Sequence, residues 1–181
     1  MMKKNIKNQN GFTLVEVLIS IALLTISAGV ASDIILTLVQ SYNKTQIQNE
    51  LEANGNFVLQ KIERELQNAV DFEVSDSGKT LTIQKNEGTT TVNIVYRIQV
   101  LDSVGSITRQ EGTGAAEVIT NNNSPNGVNV DESSVFRRVV SGSVRILEIT
   151  LNLSQIDDGV GNPAFTGSLP LKSTIILRNL R

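Results

Sequence analysis

The apolar residues divide the chain into three stretches with different periods. From Phe12 to Ala31 the sequence FTLVEVLISIALLTISAGVA is apolar all round, with Glu16 as its single charge. As a helix rising about 1.5 Å per residue, it would span roughly 30 Å, the hydrocarbon thickness of a bilayer. After Ser32 and Asp33 the apolar pattern resumes in Ile34, Ile35, Leu36, Leu38 and Val39. Beyond Ser41 the chain turns polar, yet Ile47, Leu51, Val58, Ile62 and Leu66 recur at helical intervals and draw one stripe along a helix. Gln48, Glu52, Lys61 and Glu65 fill its other face. Gly55 costs a helix interior about 1 kcal/mol relative to alanine, which predicts a bend or loosening there. The helix is expected to end between Asn68 and Asp71, so that a continuous helix from Phe12 to Val70 would run about 59 residues and about 90 Å.

From Phe72 onward the period changes to two. Leu81 and Ile83 alternate with Thr80, Thr82 and Gln84. Val92, Ile94, Tyr96, Ile98 and Val100 alternate with polar residues, as do Leu147, Ile149, Leu151 and Leu153. Each run predicts a strand with one buried face. Turns are expected at Asp76-Ser77-Gly78, Asn86-Glu87-Gly88, Ser103-Val104-Gly105 and Ser141-Gly142-Ser143. Their short spacing predicts antiparallel hairpins. A last strand, LKSTIILRNLR, places Ile175 and Leu177 on one face, and residues 121–126, NNNSPN, form a loop without apolar anchors. One apolar sheet face and one apolar helix stripe must cover each other, which gives an α+β fold: a long N-terminal helix packed on an antiparallel β-domain.

Composition narrows the chemistry. The net charge is -2, and lysines and arginines are scattered after residue 7, so there is no basic face for direct nucleic-acid binding. With no cysteine and no histidine, disulfides, zinc-thiolate sites and the commonest general base are excluded. Ser134 and Ser154 have no base partner in sequence, and no catalytic residue is expected. Glu63, Arg64 and Glu65 beside Lys61 fit a solvated helix face. No cofactor is expected. The one calcium candidate is the loop holding Asp157, Asp158 and Asn162, whose spacing does not match an EF-hand and which a glycine-rich turn also explains.

The N-terminal segment carries the strongest signal. Lys3, Lys4 and Lys7 precede it and Asp33 is the first charge after it, a bias that keeps the N-terminus in the cytoplasm and the rest of the chain outside. A cleaved signal peptide would use Gly29-Val30-Ala31 as its small-x-small site, but Glu16 interrupts the apolar core and apolar residues continue past the cut. A plain anchor gives no reason for a carboxylate costing about 2.5 to 3.5 kcal/mol at a membrane helix centre. A cut between Gly11 and Phe12 does: it frees an α-amine with a pKa of about 7.7 to 8, and Glu16 of one chain can face the amine of the next.

A basic leader ending in glycine and followed by FTLVEVLISIALL resembles the prepilin processing signal of type IV pilins and of secretion and competence pseudopilins. The resemblance implies that a prepilin peptidase cuts after Gly11 and methylates Phe12, and that Glu16 serves filament assembly. Many major pilins carry a proline where this chain has Asp33, so no proline kink is implied. More weakly, RELQNAV, YRIQ, GSITRQ and a final strand running into LRN are similar to minor pseudopilins such as the J component of type II secretion. The expected organisation is a leader over 1–11, a transmembrane and filament-core helix over 12–40, an amphipathic helix over 41–71 and the β-rich domain over 72–181. The expected function is a structural filament subunit for secretion, DNA uptake or pilus biogenesis, not an enzyme. Its partners would be other pilin subunits, the prepilin peptidase, an inner-membrane assembly platform and the lipid bilayer. The alternative is a single-pass anchored adhesin or binding domain that never polymerises.

Overall fold

Helix gives way to strand at Ala69, three residues before the period of two begins at Phe72. In a computed structural model, described for residues 11–75, 77–123, 127–142, 144–156 and 167–177, one helix, α1, covers Leu14–Gln67 and strands follow it. The chain divides into two compact units, Met1–Tyr42 and Asn43–Arg181.

In the first unit, α1 carries no buried residue. Its hydroxyls are nonetheless spent inside the helix: Ser20, Thr25, Ser27, Ser32 and Thr37 each donate to the carbonyl four residues back, at 2.7 to 2.9 Å. Back-bonded in this way, they can enter hydrocarbon without an unsatisfied donor.

In the second unit, α1 lays Leu51, Gly55, Val58, Ile62 and Leu66 against two antiparallel sheets. The first sheet has the order β1 (Ala69–Val74), β2 (Thr80–Glu87), β3 (Thr90–Leu101), β4 (Val104–Glu111) and β5 (Glu117–Val118). The second is built on β8 (Val144–Gln155), with β9 (Ser168–Leu177) along one edge. β6 (Val128–Val130) and β7 (Val135–Ser141) share the other edge in succession. The α+β class is therefore as expected. The alternating residues Leu81, Ile83, Ile94, Tyr96, Leu147, Ile149, Leu151 and Leu153 are all buried. Each apolar side chain so enclosed contributes about 1.5 to 3 kcal/mol.

Two glycines differ from the sequence expectation, and both do so because another backbone or side chain comes close. Gly55 lies in an uninterrupted helix, and a Cβ there would run into Leu171 Cδ1 and come within 2.9 Å of Leu153 Cδ1. It is a notch for β8 and β9, and its helix-weakening cost is offset by that contact. Gly105 is not a turn residue. The β3–β4 turn is Asp102 and Ser103, both with positive φ (50° and 68°), the geometry of a two-residue primed hairpin. Gly105 belongs to β4, where a Cβ would strike the Val130 carbonyl of β6, and its N–H donates to Asn129 Oδ1 at 2.7 Å. This approach joins the two sheets.

Polar side chains close the remaining seams. Ser134 fills the gap between β6 and β7, its hydroxyl accepting from Asn152 N at 2.9 Å and donating to Asn152 O at 3.2 Å. Lys79 donates to the carbonyls of Ser134, at 2.7 Å, and Glu132. Asp71 pairs with Arg145 and lies 3.8 Å from Arg138. Asn54 accepts from Asn121 N at 2.9 Å, which ties the start of the asparagine-rich loop to α1.

Glu65 corrects a sequence expectation. It faces the sheet, not solvent: its side chain is 12 % exposed, with Tyr96 Oη donating to it at 2.5 Å and Arg109 Nε at 2.8 Å. Arg109 also reaches Glu111 at 2.6 Å. Burial, then the hydrogen bond to Glu65, raises the Tyr96 phenol well above its ordinary value. Burial alone would lower Arg109, but its bonds to Glu111 and Glu65 outweigh that and raise it, while Arg109 holds Glu111 below the usual carboxylate value.

Candidate processing and assembly site

Gly11, Phe12 and Thr13 precede the helix in non-helical backbone, and Phe12 is 86 % exposed. What ends the helix just there is local chemistry. The Glu16 carboxylate accepts from Thr13 N at 2.9 Å and Thr13 Oγ1 at 3.0 Å, and Glu16 N donates back to Thr13 Oγ1 at 3.3 Å. With Thr13 as N-cap and Glu16 three residues on, this is a capping box, two orphan donors satisfied reciprocally. The negative side chain also lies in the first helical turn, where the helix dipole favours it.

Two consequences follow for chemistry. The Gly11–Phe12 peptide lies outside the helix, and both residues are exposed. The Glu16 carboxylate has a partner within its own chain, which the sequence reading did not foresee although Thr13-x-x-Glu16 is the signature of such a box. It remains on an exposed helix turn, beside Phe12, Val17, Ser20, Ile21 and Leu24, which line a shallow apolar groove.

From Leu14 on, α1 is long and apolar enough to cross a membrane, and none of its apolar window is buried within the protein. Leu14, Leu18, Leu24, Ile26, Ile35 and Leu38 are all more than half exposed. Such a surface requires lipid or another protein.

The leader lysines Lys3, Lys4 and Lys7 lie outside the described residues, as do the calcium candidates Asp157, Asp158 and Asn162. Among the described residues no group of three or more acidic side chains is placed to hold a metal ion.

The non-helical start, the capped glutamate and the apolar helix follow one another within this N-terminal segment. A family model, the prokaryotic N-terminal methylation motif, matches residues 6–32, and this match supports the resemblance of the N-terminal segment to type IV pilin-like precursors. No curated protein and no solved structure matches it.

Proposed function

We propose that the chain is a minor or accessory subunit of a type IV pilus-like or pseudopilus filament. It is inserted in the membrane with its N-terminus in the cytoplasm, cut after Gly11, methylated on Phe12 and assembled through its apolar helix. The observation that carries this reading is the junction itself: an accessible, non-helical Gly11–Phe12 peptide, two residues before a capped helix with nothing covering its apolar side chains. In this reading residues 12–40 supply filament-core contacts and residues 41–71 dock the β-rich domain of residues 72–181. That domain meets other subunits, the assembly platform or cargo. Glu16 exchanges its Thr13 partner for the α-amine of a neighbouring Phe12, which neutralises two charges that packing would bury.

Gly11→Leu tests the cleavage step. The residue before the scissile bond gains a branched side chain while the capping box and the apolar helix are untouched. The expected outcome is a full-length precursor that accumulates in the membrane and is absent from sheared filaments, read by mass spectrometry. Normal cleavage and incorporation of this variant would argue against Gly11 as the cut site. A chain that remains anchored in both forms and never enters filaments would favour the non-polymerising adhesin.

A further inference from the structure

Resting on the filament reading above, we propose that Asp33 selects the neighbouring subunit. The partner is the apolar helix of a different chain that carries a lysine or arginine level with Asp33.

Asp33 is exposed in a part of α1 where Val30, Ile34, Ile35, Leu36 and Leu38 are 55 to 63 % exposed. In the membrane it falls two residues beyond the twenty-residue span, at headgroup depth, where a carboxylate is tolerated. Packed among apolar helices it is enclosed, and an enclosed carboxylate needs a cation.

Its own helix supplies none. The positions three and four residues away are Gly29, Val30, Leu36 and Thr37, and the Thr37 hydroxyl is given to the Asp33 carbonyl. Among the described residues no ion pair includes Asp33.

A second copy does not supply one either. Between Phe12 and Asn43 there are two carboxylates, Glu16 and Asp33, and no lysine or arginine. The proposed cut adds a single amine per chain, so a stack of identical copies is left with one carboxylate in excess. The register that sets Glu16 against the amine of Phe12, an offset of four residues, brings Asp33 level with Gly29 of one neighbour and Thr37 of the other, both uncharged. Lys44 of the neighbour whose Thr37 is level with Asp33 stands seven residues further along, about 10 Å on a helix.

The local shape suits a long cationic side chain from outside. Helical side chains lean toward the N-terminus, so the Asp33 carboxylate leans over the turn containing Gly29. A Cβ at Gly29 would meet nothing within 4 Å. The notch beside the carboxylate is open, and small residues let a neighbouring helix approach closely.

The chain has no cysteine, so Val30→Cys places a unique thiol one turn from Asp33 for a benzophenone cross-linker. The experiment uses the full chain in cells that make the complete filament machinery. The expected adduct joins this chain to a second subunit whose apolar helix contains a lysine or arginine. Asp33→Asn should lower its yield about five-fold or more, Asp33→Glu should preserve it, and Asp33→Lys should recover it when the partner's cation is exchanged for glutamate. An adduct unchanged by Asp33→Asn would overturn the proposal, as would an adduct between two copies that disappears on Lys44→Gln. Failure of the underlying reading registers separately, as an intact Met1 terminus; a chain cut after Gly11 with an Asp33-independent adduct sinks the selection alone.

Discussion

Replacing Glu16 by alanine should abolish incorporation into filaments and leave cleavage after Gly11 intact. Two roles of the carboxylate predict some loss, and a second variant separates them. In the isolated chain Glu16 completes a capping box with Thr13, with an oxygen 2.9 Å from Thr13 N. A glutamine preserves that box, because its amide oxygen accepts the same hydrogen bonds. It removes the charge, however, and leaves a neighbour's Phe12 ammonium without a counter-ion in an apolar bundle. Unpaired burial of that kind costs several kcal/mol, against about 0.5 to 2 kcal/mol for a lost cap. If pairing drives assembly, Glu16→Gln should therefore fail as completely as Glu16→Ala. Filaments sheared from cells co-expressing the wild-type machinery, probed for the variant subunit, read this directly. A Glu16→Gln chain that assembles normally would reduce Glu16 to a helix cap.

The second large effect is expected at the cluster that locks the end of α1 to the first sheet. Arg109→Met leaves Glu65, 12 % exposed, with the Tyr96 hydroxyl as its hydrogen-bond donor. Breaking a buried pair costs about 3 to 5 kcal/mol, and the residual exposure of both side chains puts this case near the lower figure. Glu65→Met should cost less, because Arg109 keeps Glu111 at 2.6 Å. Tyr96→Phe, which removes one hydroxyl donor, should cost about 1 kcal/mol. The double replacement of Arg109 and Glu65 by methionine should recover most of the loss, since no charge is then buried alone. Urea unfolding of the full chain in detergent measures all four. Losses that simply add in the double variant would contradict a coupled pair. The ion pair also has a pH signature. Glu111 titrates below its ordinary 4.5 in the folded chain, so its contribution is present above that value and is lost as the pH falls through the lowered one.

How much of this is visible in the sequence depends on how locally each feature is encoded. The lipid-sized apolar run, the stripe from Leu51 to Leu66 and the alternation in β2, β3, β8 and β9 are written in hydrophobic period; the structure buries the stripe and most of the alternating residues, while Val92 and Ile175 are half-buried and Val100, near the end of β3, is exposed. β4 escapes because its buried residues include Gly105, Ser106 and Thr108, which do not alternate in polarity with their neighbours. Their burial follows from the approach of β6 and the loop after β5, contacts made between distant parts of the chain. Glu65 escapes for the same reason. Beside Glu63 and Arg64 it looks like surface, and Tyr96 and Arg109, which make it interior, lie 31 and 44 residues away. Its phase was nonetheless a clue, since it stands three residues after Ile62 and one before Leu66, at the border of the buried stripe. Gly55 was readable as an exception to helix propensity, while its cause, Leu171 and Leu153 pressing on the helix, was not. The capping box was fully local and could have been read from Thr13-x-x-Glu16. It shows that the Glu16 carboxylate is already hydrogen-bonded within its own chain, so the pairing proposed for the filament would be an exchange of partners.

The central claim is that the chain is a substrate of the prepilin peptidase and becomes a filament subunit only after the cut. The N-terminal mass of the protein recovered from membranes and sheared filaments tests it most directly. The account predicts a chain beginning at Phe12 and one methyl group heavier than the bare sequence; a terminus at Met1 or at Ser32 would contradict it.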